Sequence, residues 1–82
     1  MVRKYIDVIC LNDKRGIIKP LYIIWDENRK IPIVKVKEIA LNANLRVGGT
    51  GVRYTCLFDA GRVRHLYFDQ GKWYVEQADH MV

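Results

Sequence analysis

Val52-Arg53-Tyr54-Thr55-Cys56-Leu57-Phe58-Asp59-Ala60-Gly61-Arg62-Val63-Arg64-His65-Leu66-Tyr67-Phe68-Asp69-Gln70-Gly71-Lys72-Trp73-Tyr74-Val75-Glu76-Gln77 holds the same punctuation twice. Asp59-Ala60-Gly61 and Asp69-Gln70-Gly71 separate three period-2 segments, Val52–Phe58, Val63–Phe68 and Lys72–Gln77. Asp closes a side-chain-to-backbone turn and Gly accepts positive φ without a Cβ clash, so each triplet reads as a hairpin connection. Two hairpins in succession predict an antiparallel meander.

The same alternation extends backward. Arg3–Leu11 puts Ile6, Val8 and Cys10 on one face and Tyr5, Asp7 and Ile9 on the other. Asn12-Asp13-Lys14-Arg15-Gly16 ends that strand, and a second follows from about Ile17 to Trp25, with Pro20 marking an edge position or a bend. Asp26-Glu27-Asn28 turns the chain into a third strand from Arg29. Its apolar parity switches from Ile31 and Ile33 to Val34 and Val36, the signature of a β-bulge. Residues 37–47 alternate like a strand, although Lys37–Asn44 would also tolerate a helical turn. The tail Ala78–Val82 lacks periodicity and is expected to fray.

These readings predict one domain, residues 1–82, of all-β class: a small antiparallel meander barrel of about six strands. Short hairpin connections favour an SH3-like barrel over an OB-like one, which usually carries a helix between its third and fourth strands. Half of the residues are apolar, placing the chain among globular sequences. Asp7 interrupts the segment after the basic N-terminus, which argues against a signal peptide, and no apolar run is long enough for a membrane-spanning helix. The expected location is cytoplasmic, with no membrane partner. Cys10 and Cys56 lie in alternating strands and read as buried free thiols.

The net charge is +5, and residues 1–64 carry thirteen of the fourteen basic residues against six of the nine acidic ones. Such a body favours an anionic partner, although the same charge also keeps a small domain dispersed. Arg53, Arg62, Arg64 and Lys72 interleave with Tyr54, Tyr67 and Tyr74, the composition of a surface that binds phosphates with cations and stacks bases on rings. The competing reading is solvated charge over a packed interior. Arg62 and Arg64 share parity with Leu66 and Phe68, so one end of that strand must leave the core. Gly48-Gly49-Thr50-Gly51 resembles a phosphate loop only in glycine content, because a strand rather than a Lys-Ser/Thr helix start follows it.

Catalytic, metal and cofactor chemistry find no support. His65 and His80 lack Cys or His companions at ligand spacing. Asp59 and Asp69 are explained by turns, and Glu76 alternates outward. There is no serine, and Thr50 and Thr55 have no base at motif spacing. The expectation is a non-enzymatic binding module contacting nucleic acid. The alternative is a protein-interaction module using exposed aromatics or a strand edge.

Tyr5-Ile6-Asp7-Val8, Pro20-Leu21-x-x-x-Trp25, Arg29-Lys30-x-x-Ile33-x-x-Val36, Gly48-Gly49-x-Gly51-x-Arg53-Tyr54-Thr55-Cys56 and Lys72-Trp73-Tyr74-Val75-Glu76 together resemble a family of short, uncharacterised bacterial proteins commonest among Firmicutes. Trp25, Arg29, Val36 and Trp73-Tyr74 are more distantly similar to small domains of unknown function encoded near error-prone DNA polymerases. The resemblance implies a shared barrel and no established activity.

Overall fold

The computed structural model describes residues 2–44 and 50–77, with the side chains of 42–44 and 50 excepted. The chain forms β1 (Val2–Asn12), β2 (Ile18–Asp26), β3 (Arg29–Pro32), β4 (Lys35–Asn44), β5 (Thr50–Leu57), β6 (Val63–Asp69) and β7 (Lys72–Gln77). The spatial order is β3-β2-β1-β7-β6-β5-β4, and every pairing is antiparallel. Each strand therefore pairs with its sequence neighbour except β3 with β4, and β1 against β7 completes the circuit. The all-β meander barrel is present, opened on one side into a half-barrel.

Seven strands replace the expected six because the third divides. The parity switch falls at Ile33 and Val34, where the chain leaves one end of the sheet and joins the other. The Ile33 amide donates to the Leu21 carbonyl at 2.9 Å, and the Val34 amide donates to the Leu57 carbonyl at 2.8 Å. Ile31, Ile33 and Val36 pack against the core, whereas Val34 is exposed. Val34 thus does not share the face of Val36. Residues 35–44 are strand throughout, so no helix separates β3 from β4 as in an OB-like arrangement. The rest of the 37–47 segment, Gly48-Gly49 of the glycine loop and the Ala78–Val82 tail lie outside the described residues.

Turn chemistry explains the connections. Gln70 and Gly71 have φ of 53° and 78° between the paired Asp69 and Lys72, as a two-residue hairpin with right-handed strand twist requires. At the other triplet a short 3-10 turn, Asp59–Gly61, holds Ala60 at φ 63°. The Asp side chain closes its turn elsewhere: Asp13 Oδ1 accepts hydrogen bonds from the amides of Arg15 (2.8 Å) and Ile17 (2.9 Å). Those amides, that of Ile17 foremost, hold the Asp13 carboxyl below the usual carboxylate range. Pro20 sits where the β1–β2 register slips between Ile9 and Cys10, opposite Cys10, so its missing N–H falls at a bend.

The interior is centred on Trp73. Its ring lies 5.0 Å from Tyr54 and 4.7 Å from Phe68, within a cluster that includes Ile6, Ile23, Cys56 and Leu66. Trp25 is only half-buried. Replacing Trp73 by Ala is expected to cost about 3–5 kcal/mol and to unfold most of the chain, whereas Trp25→Ala lowers the urea midpoint less. Equal losses would contradict this placement.

Both thiols are free, but contrary to expectation Cys10 is only half-buried. Cys56 is fully buried, and burial pushes its thiol up to about 11 from the usual value near 9.0. An unfolded chain releases that proton first, so its contribution to stability is complete below about pH 9 and falls as pH rises toward 11. Urea midpoints measured across that window should decline, and Cys56→Ala should flatten the decline by up to about 1.4 kcal/mol per pH unit. An unchanged slope in the variant would refute the assignment.

Candidate functional site

The seven residues nominated from the sequence divide among three places. Tyr54 belongs to the interior: its ring is buried, and its hydroxyl donates to the Ile18 carbonyl at 2.9 Å. Burial, reinforced by the two thiols, raises its ionisation above the ordinary tyrosine value. It offers no stacking surface, because Tyr54 has the inward parity of Cys56 and pairs with inward-facing Leu66.

Tyr67, Tyr74, Arg53 and Lys72 lie on the outer face. Tyr5, Tyr74, Tyr67 and Arg53 form one row across β1, β7, β6 and β5, each residue opposite the next in register. Tyr67 and Tyr74 stack at 5.1 Å with planes 12° apart, and Tyr5 packs on the other flank at 5.6 Å. The Arg3 guanidinium lies 4.3 Å from the Tyr74 ring centroid. That ring consequently retains only 1% exposure.

Carboxylates lie among the cations of this outer face. Arg53 meets Glu38 at 3.8 Å, and the Lys72 ammonium sits 5.9 Å from the Tyr5 ring. Burial and then the Glu76 carboxylate raise the Tyr67 hydroxyl above its ordinary value. Burial raises Tyr74 too, partly opposed by Arg3 and reinforced by Glu76 and Asp69. Of these cations Arg53 has a carboxylate partner, Glu38, while Arg3 and Lys72 lie against the Tyr74 and Tyr5 rings.

Arg62 and Arg64 go elsewhere. Arg64 keeps inward parity, opposite Cys56, at the end of β6 where the half-barrel opens. There a cavity of about 200 Å³ has Ile23, Ile31, Phe58, Leu66 and Val75 in its walls. Trp25, Arg29, Arg62 and Arg64 complete its lining. Lys4 adds a fourth cation, its Nζ 4.1 Å from the Trp25 ring centroid. Arg29 Nε lies 3.4 Å from Asp26 Oδ2. Among the described residues no ion pair engages Lys4, Arg62 or Arg64, although Glu27 and Asp59 occupy the adjoining turns.

Comparison of the chain with protein families, curated proteins and solved structures returns no match. The family resemblance therefore rests on the quoted segments alone.

The mouth contains three residues that the sequence did not nominate. Trp25 reads as core because its neighbours alternate, and Lys4 and Arg29 lie outside the basic-aromatic run. Their signal is positional: Lys4 shares the inward parity of Ile6 and Val8, as Arg64 shares that of Leu66. Cations at inward parity near strand ends mark an opening in a barrel, because full burial would leave their charge uncompensated. His65 is on the outer face, with Nδ1 3.1 Å from Thr55 Oγ1, and His80 lies outside the described residues. Among the described residues no His, Cys, Asp or Glu cluster is arranged to hold a metal ion.

Proposed function

We propose that this protein is a cytoplasmic, non-enzymatic module that binds nucleic acid at the open mouth of its half-barrel. The supporting observation is the gathering of Lys4, Arg29, Arg62 and Arg64 around a cavity edged by Trp25, where among the described residues only Arg29 has an ion-pair partner. Phosphates gain most where cations are least compensated, and guanidinium groups take phosphate oxygens in bidentate fashion. The distant likeness to domains encoded near error-prone DNA polymerases agrees with this reading.

A second reading draws on β4. It ends the sheet, and Ile39 and Leu41 along it are 43% and 72% exposed, as a site for strand addition by a protein partner would be. Salt dependence separates the two. Binding of a fluorescent single-stranded oligonucleotide at the mouth should weaken with salt, and Arg62→Gln with Arg64→Gln should flatten the log–log slope by about 1.4 if each contacts one phosphate. Arg53→Gln with Lys72→Gln should leave it unchanged. The reverse pattern would move the interface to the outer face, and no binding at low ionic strength would reject the nucleic-acid reading in favour of the β4 edge.

A further inference from the structure

The shape of the mouth specifies more than attraction to phosphate. Its cavity of about 200 Å³ is walled by Phe58, Leu66, Val75 and isoleucines, with Trp25 at the lip. A cavity of about 150 Å³ in a protein core admits benzene, whereas pockets for whole drug-sized ligands begin near 300 Å³. The space is therefore close to the size of one flat ring system.

From this we infer that the cavity receives one unstacked base of a single-stranded nucleic acid, with the adjoining phosphates held by Arg62, Arg64 and Arg29. The inference rests on the nucleic-acid reading and adds what enters the mouth. A nucleotide couples a flat ring with apolar faces and a polar edge to a charge one sugar away, and the cavity lining combines apolar side chains with three guanidinium groups. An acidic peptide distributes ring and carboxylate over different residues, so it fills cavity and rim together only with a particular sequence. A duplex keeps its bases stacked and cannot supply the ring without paying for extrusion. The half-buried Trp25 ring and the Phe58 ring give the base aromatic surface, while the Lys4 ammonium over Trp25 sets a positive charge beside it.

The test compares two probes on the unaltered protein at one low salt concentration: a short oligothymidylate and an abasic chain of equal length and charge. Oligothymidylate should bind about tenfold more tightly or better, in line with the stacking contribution of a single base. It should also change the fluorescence of Trp25, assigned by loss of that change in Trp25→Phe. The Trp25→Ala protein, if folded by circular dichroism, should bind the two probes nearly alike. Equal binding of both probes by the unaltered protein would overturn base insertion while leaving backbone binding at the mouth intact. Failure of both probes would overturn the two readings together, and binding of an Asp/Glu-rich peptide carrying one Phe would then identify the occupant as peptide.

Discussion

Two consecutive amides, those of Ile33 and Val34, donate to strands near opposite ends of the one sheet: the first to Leu21 of β2 at 2.9 Å and the second to Leu57 of β5 at 2.8 Å. Through them one stretch of backbone serves β2 at its start and β5 at its end, so the two extremes of the sheet are covalently continuous. The sheet must curl for both bonds to form. β1 makes the complementary bend, pairing with β7 through Val2–Ile6 and with β2 through Asp7–Asn12. Those two shared strands enclose the interior around Trp73 and leave one end open. The cavity is thus a consequence of how the circuit closes.

The circuit also determines which charges matter. Every second residue of β1, β5, β6 and β7 points outward, where cations and carboxylates intermingle across a flat tyrosine row. Inward positions are apolar along most of their length, and cations occupy them only where the strands reach the opening. A net charge of +5 says nothing about this division. Among the described residues each face holds one ion pair, Arg53 with Glu38 on the outer face and Arg29 with Asp26 at the mouth, so the mouth is distinguished by its clustering of four cations around a cavity. Clustered cations beside a ring-sized, partly apolar space combine long-range attraction for a polyanion with a short-range reason to retain it, which supports the proposed site.

Much of this architecture was legible locally. Alternation located the strands, Asp69-Gln70-Gly71 set a two-residue turn, and the parity change at Ile33-Val34 marked the bend. The pairing of β1 with β7 was not legible, because strand partners so distant in sequence leave no local pattern. The Asp59 and Asp69 turns also rest on backbone geometry, while Asp13 closes a turn with its side chain. For the site, alternation correctly warned that Arg62 and Arg64 share the parity of core residues. It also implied that Tyr54 was interior, but adjacency to Arg53 placed it among the binding candidates. Lys4, Trp25 and Arg29 came into the site only through the fold, since β1, β2 and β3 meet β6 at the mouth by curvature rather than by sequence proximity.

We propose the mouth, and not the tyrosine row, as the binding surface. Amide and indole chemical shifts recorded by NMR during titration with a short single-stranded oligonucleotide test it most directly, because both surfaces report in one experiment. The account predicts that the Trp25 indole N–H and the amides of Arg29 and Arg62–Arg64 move together and saturate, while those of Arg53, Tyr67 and Tyr74 stay near their starting positions. Shifts concentrated along the tyrosine row, with the Trp25 indole unmoved, would contradict it.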